Sequence, residues 1–133
     1  MPTPKPIDIV QSMYGEFARG DVAALMARFH PEARLIVHAP DTIAYGGTRR
    51  GLREIERWFG ELGSTVAIEQ LEAETIISSG DEVAVRGIEG GRSTATGRRY
   101  QSGFVHFWKI RDGLVVRLDD FIDSAAVAAA IAS

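Results

Sequence analysis

The sequence predicts an α+β fold on three observations. Apolar residues recur at helical spacing up to Gly63, they alternate in the manner of strands from Thr65 to Asp123, and turn signals punctuate that second stretch. Helices first and a long meander afterwards place the helices over one face of a bent sheet.

Ile7, Val10, Tyr14 and Phe17 form a helical stripe after a proline-rich start, and the stripe ends near Gly20. Asp21 can cap a second helix with Val22, Leu25, Met26 and Phe29 on one side and Pro31 as its stop. A short strand, Arg34 to Ala39, follows. Pro40 to Gly47 has the composition of a loop, after which Leu52, Ile55, Trp58, Phe59 and Leu62 restore the helical period in a third helix closed by Gly63. Turn signals at Ser78-Ser79-Gly80-Asp81, Thr96-Gly97-Arg98 and Arg111-Asp112-Gly113 divide the remainder into four consecutive antiparallel strands. Gly90-Gly91 interrupts the second of these and reads as a bulge that curves the sheet. A short last helix, Ser124 to Ile131, takes its cap from Asp123 or Ser124.

With 133 residues, 45% of them hydrophobic and 25% charged, residues 1–133 read as one globular domain. The formal net charge is -3, and the arginines of Arg49-Arg50-Arg53-Arg57 and Arg98-Arg99 form no continuous basic footprint, so no nucleic-acid partner is expected. The absence of cysteine removes disulfides, thiolate nucleophiles and sulfur ligands together. His30, His38 and His106 have no short ligand spacing, and no metal is expected. His30, before Pro31 at a helix end, reads as a surface cap. Gly46-Gly47 and Gly90-Gly91 lack the strand-turn-helix context of a phosphate loop, and no cofactor is expected. Met1-Pro2-Thr3-Pro4-Lys5-Pro6 lacks an apolar signal region and no stretch approaches the ~20 apolar residues of a membrane span, which leaves a cytoplasmic location as the default.

The face of the last hairpin that looks inward follows from requiring its two strands to agree. Tyr100, Ser102, Phe104, His106, Trp108 and Ile110 make one apolar face, interrupted by Ser102 and His106. Leu114, Val116, Leu118, Asp120 and Ile122 make the other, interrupted by Asp120. The two faces coincide if the loop Arg111-Asp112-Gly113 has three residues, which sets His106 opposite Leu118 and Phe104 opposite Asp120. His106 and Asp120 are then diagonal neighbours, roughly 7–8 Å apart at Cα. A two-residue Asp112-Gly113 turn would put them on opposite faces. An ionisable pair on an apolar concave face suits proton transfer, because desolvation and mutual charge tune both groups. The plain alternative is a satisfied core histidine beside an edge carboxylate bonded to backbone or to an arginine such as Arg86.

Several local strings, in order and nearly spanning the chain, resemble the nuclear transport factor 2-like superfamily, and most closely its SnoaL-like branch of polyketide-cyclase relatives. They are Tyr14-x-x-Phe17-x-x-Gly20-Asp21, Val37-His38-Ala39-Pro40, Tyr45-Gly46-Gly47-Thr48-Arg49-Arg50-Gly51, and Asp112-Gly113-Leu114-Val115-Val116 leading to Asp119-Asp120-Phe121-Ile122-Asp123. The resemblance implies a cone in which a curved antiparallel sheet and three N-terminal helices enclose a pocket for a small apolar molecule. It also implies a homodimer through the outer sheet face, to which outward-facing Val105, Phe107, Val115 and Phe121 would contribute. Fold alone does not choose among the superfamily's isomerases, hydrolases, dehydratases, cyclases and non-enzymatic binders.

Ketosteroid isomerase places a tyrosine on the first helix, an aspartate base at the end of the first strand and a second aspartate in the sheet. The matching positions here hold Met13, His38 or Ala39, and His106, with Tyr14 rotated about 100° from the first of them. Limonene epoxide hydrolase resembles the chain at Asp120, but Arg86-Gly87-Ile88 lacks its arginine-aspartate pair. SnoaL-like cyclases use a pocket aspartate as acid and base without a metal, which Asp120 and His106 match. The expected function is therefore cofactor-independent proton transfer on an apolar carbonyl-like substrate, of isomerase, cyclase or dehydratase type. Asp120 acts as base or acid, His106 orients it or shuttles the proton, and Tyr14 supplies a hydroxyl to an incipient oxyanion. Trp58, Phe59, Phe104, Leu118 and Ser102 are expected to line the pocket. His38 joins them if the strand end before Pro40 breaks an alternation that otherwise turns it outward. The alternatives are a sequestering protein with the same pocket, a dimeric interaction module, or an epoxide hydrolase-like activity.

Overall fold

The computed structural model describes residues 4–132. Met1 to Thr3 of the proline-rich start, and Ser133 of the one-domain reading, lie outside the described residues. Helix α1 (Pro6–Ala18) begins with proline in its first turn and closes in a Schellman arrangement, with Gly20 N–H on the Phe17 carbonyl at 2.9 Å and Asp21 N–H on Glu16 at 3.0 Å. Asp21 then caps α2 (Val22–Met26) by accepting from Ala24 N at 3.0 Å.

The second helix is shorter than its apolar stripe suggests. Phe29 already opens strand β1 (Phe29–His38), which carries Pro31 through a register shift between Phe29 and Arg34. Proline stops nothing there because the segment is bulged away from the ladder and no amide is needed at that point. An edge strand that the sequence reading missed, β2 (Gly47–Arg50), lies antiparallel on β1; its short, arginine-rich sequence has no apolar alternation to reveal it. Helix α3 (Gly51–Thr65) runs past Gly63 and buries Ile55, Trp58 and Leu62.

Strands β3 (Val66–Ser79), β4 (Glu82–Ser93), β5 (Arg99–Arg111) and β6 (Leu114–Ile122) form the expected antiparallel meander, followed by α4 (Ser124–Ile131) on an Asp123 cap. The sheet order is β2-β1-β6-β5-β4-β3. The sheet is mixed rather than wholly antiparallel, because β1 lies parallel to β6. The register shift near Gly90-Gly91 lies on β3, between Ile68 and Gln70, with the glycines facing it.

The last hairpin corrects the expected turn. Its loop is two residues, Asp112 and Gly113, both at positive φ (52° and 80°), as a type I′ turn requires. A bulge at Val116, between the pairs Ile110–Val115 and Lys109–Arg117, adds the residue that restores parity. Even-numbered residues of both strands therefore share a face beyond the bulge, and His106 sits directly opposite Asp120 rather than Leu118. Below the bulge the parity is reversed, so Val115 is wholly buried instead of facing out. The helices and the inner sheet face close over one apolar core in which Val10, Leu35, Ile55, Val83, Val85 and Val127 are fully buried, each contributing roughly 1.5–3 kcal/mol of burial.

Candidate active site

The cavity lies between the inner sheet face and the three N-terminal helices. Its walls include Met13, Tyr14 and Phe17 of α1, Trp58, Phe59 and Leu62 of α3, and Leu118, Asp120 and Ile122 of β6. It encloses about 660 Å³ counting its open mouth. An apolar groove between the end of α1 and the end of α3 shares Phe17, Leu25, Phe59, Leu62 and Ile68 with it.

Three polar residues meet on one wall. The Tyr14 hydroxyl is 2.5 Å from His106 Nδ1, and His106 Nε2 is 3.1 Å from Asp120 Oδ1. Burial pushes the Tyr14 phenol well above its ordinary value, and the Asp120 charge adds to that, so the phenol keeps its proton and donates to Nδ1. That bond assigns the neutral imidazole proton to Nε2, facing Asp120. The Nε2 to Oδ1 contact is off the line of a good hydrogen bond, which leaves Oδ1 a buried acceptor without an aligned donor. The rings hold the histidine in place: Phe104 stacks on it at 4.2 Å between centroids, and Trp108 meets it edge-on at 6.1 Å. Trp108 Nε1 is likewise buried without an aligned acceptor.

Of the sequence-derived candidates, Tyr14, Trp58, Phe59, His106, Leu118 and Asp120 line one cavity. Phe104 is buried behind the His106 ring and does not line it. Ser102 is structural: its hydroxyl donates to the Gly103 carbonyl at 2.8 Å and accepts from Asp123 N at 2.9 Å, tying β5 to the start of α4. His38 points to the outer face, as alternation demands. It lies 2.9 Å from Asp119 Oδ1 and stacks on Phe121 at 4.1 Å. Arg117, donating at 2.7 Å to the same carboxylate, is the main reason that Asp119 is held below the usual range.

The sequence reading overlooked Glu89 and Tyr45. Glu89 is 6% exposed, lines the cavity from β4, and accepts from the Tyr100 hydroxyl at 2.7 Å. It falls on the inward parity of Val83, Val85 and Gly87, a pattern that could have exposed it. Tyr45 comes from the 40–47 loop. Trp58 Nε1 donates to its carbonyl at 2.8 Å, and Arg49, paired with Glu61, holds the Gly46 carbonyl at 2.8 Å.

Burial raises the Glu89 carboxyl above its ordinary range, the Tyr100 bond opposes this, and the Asp120 charge adds to it. The native state then binds more protons than the unfolded chain once pH passes the unfolded carboxyl value of about 4.3, so this group makes stability fall as pH rises through that window. Thermal unfolding of Glu89→Gln against the parent from pH 4 to 8 is expected to show a flatter profile for the variant. Parallel profiles would contradict it.

Among the described residues, no group of three or more His, Asp or Glu is arranged to hold a metal ion, and no helix is long and apolar enough to cross a membrane.

Residues 10–118 match the family described as SnoaL-like domain. No curated protein matches. Among solved structures, an NTF2-like protein from Burkholderia thailandensis is 29% identical with a TM-score of 0.88, covering 100% of both chains. An NTF2-like protein of unknown function from Burkholderia pseudomallei is 25% identical with a TM-score of 0.88, over 96% of this chain and 98% of that one. TerC, co-crystallised with polyporic acid, is 25% identical with a TM-score of 0.85, again over 96% of this chain and 98% of that one.

Proposed function

The chain belongs to the SnoaL-like domain family, and from that premise we propose that residues 1–133 act as one domain catalysing cofactor-independent proton transfer on a small apolar carbonyl compound. The observation that carries this reading is Asp120 Oδ1, a buried acceptor with no aligned donor, on a residue in the wall of a largely apolar cavity. A group left in that condition costs stability unless a ligand completes it, and the cost is accepted at sites of function. The crystallisation of TerC with polyporic acid supports a small organic ligand for this fold.

In this mechanism Asp120 takes a proton from the carbon next to the carbonyl. The C–H bond breaks, an O–H bond forms on Asp120, and the electron pair moves onto the carbonyl oxygen. In this reading Trp108 Nε1–H, buried beside the Tyr14 hydroxyl without an aligned acceptor, serves the developing oxyanion, and His106 Nε2–H, imperfectly engaged by Asp120, is the second donor. Return of the proton to another carbon gives an isomer with no net redox change. Tyr14 acts through His106, fixing its tautomer.

Both tryptophans of the chain, Trp58 and Trp108, line the cavity, so their fluorescence reports occupancy directly. In a panel of small cyclic ketones, compounds that change this fluorescence are expected to be converted. Tight binding across the panel with no conversion would replace the enzyme by a sequestering protein.

We also propose a homodimer through the outer sheet face, where Val105, Phe107 and Phe121 remain exposed. Val115 contributes nothing to that face. Sedimentation at micromolar concentration is expected to give twice the chain mass, and a monomer would contradict it.

A further inference from the structure

The cavity has a second polar wall that the proton-transfer step does not use. Val85 pairs with His106, whereas Glu89 pairs with Ser102, so Glu89 stands four residues, roughly 13 Å of strand, from the Asp120–His106 level. Glu89 Oε2 accepts from Tyr100, and among the described residues Oε1 receives no hydrogen bond. The Tyr45 hydroxyl, on a residue only 2% exposed, also has no partner, and the charge of Glu89, followed by that of Asp120, adds to the burial that raises its phenol. Both residues line the cavity.

We propose that Glu89 and Tyr45 form a second hydrogen-bonding pole that binds an oxygen of the ligand remote from the atom facing Asp120. The ligand class is then a small, largely apolar ring compound with two oxygen functions, a carbonyl at the Asp120 wall and a hydroxyl or second carbonyl at the Glu89 wall. This rests on the proton-transfer reading for the first oxygen only. Two polar groups left open at one end of an apolar cavity discriminate strongly against a ligand that cannot complete them, because their desolvation is then uncompensated. The Tyr45 hydroxyl donates to a ligand oxygen, and Glu89 Oε1 accepts from a ligand hydroxyl or, when it carries a proton, donates to a carbonyl.

The test uses a matched pair of probes, 2-tetralone and its analogue with a hydroxyl on the far ring, 6-hydroxy-2-tetralone, titrated by tryptophan fluorescence. The full chain is expected to bind the hydroxylated ketone about tenfold more tightly, the effect of roughly one added net hydrogen bond. Tyr45→Phe is expected to reduce that preference to about twofold or less. The double variant Glu89→Leu with Tyr100→Phe, which removes both partners so that neither is orphaned, is expected to do the same. Equal binding of the two probes by the parent chain, or a preference that survives in both variants, overturns the second pole and leaves the Asp120 reading standing. Binding of neither probe overturns both.

Discussion

Asp120→Asn is expected to lower turnover of a ketone substrate by about 10²–10⁴-fold, the usual contribution of a positioned general base, while the dissociation constant changes only a few-fold. The amide has the shape of the carboxylate but lacks its basic oxygens, and Asp120 lines the cavity. A loss confined to kcat separates this role from a packing role, which would weaken binding and stability together. Wild-type turnover by a folded Asp120→Asn protein would exclude Asp120 as the base.

The second large effect is structural. A Cβ at Gly87 would stand 2.0 Å from the Glu72 carbonyl oxygen and 2.5 Å from the Phe104 ring. The first contact is with backbone of the neighbouring strand and cannot be relieved by a side-chain rotation. Gly87→Ala is therefore expected to cost about 3 kcal/mol, at the upper end of overpacking penalties, and to lower Tm by roughly 10 °C. Phe104 is also the ring stacked on His106, so the displacement reaches the proton-transfer wall. An unchanged melting temperature would show that β3 and β4 can separate locally without loss.

The parts of this site that were legible in the sequence are those carried by period. The even-numbered face of β5 and its two polar interruptions follow from alternation alone, and the same alternation turns His38 outward, where it meets Asp119. The turn was not legible, because Arg111-Asp112-Gly113 suits either a two- or a three-residue loop. The bulge at Val116 that compensates for the shorter loop lies in a run of apolar residues with no signal of its own. His106 and Asp120 share a face all the same, since burial of the apolar set decides parity whichever device supplies the extra residue. Pro31 misled for a related reason: a proline can stop a helix or ride in a bulged strand, and pairing with β6, distant in sequence, decided between them. Tyr45 comes from a loop, where no periodicity assigns a side chain to either face.

The most direct measurement is deuterium wash-in at the carbon next to the carbonyl, followed by proton NMR on a small cyclic ketone such as 2-tetralone incubated with the protein in D₂O. It needs neither the physiological substrate nor a product, only abstraction and return of a proton. Proton transfer by Asp120 requires incorporation well above the buffer rate with the parent chain, and a fall of about 10²–10⁴-fold toward that rate with Asp120→Asn. A ketone that perturbs the cavity tryptophans yet exchanges at the buffer rate with the parent chain, or as fast with Asp120→Asn as with the parent, would contradict proton transfer at this wall.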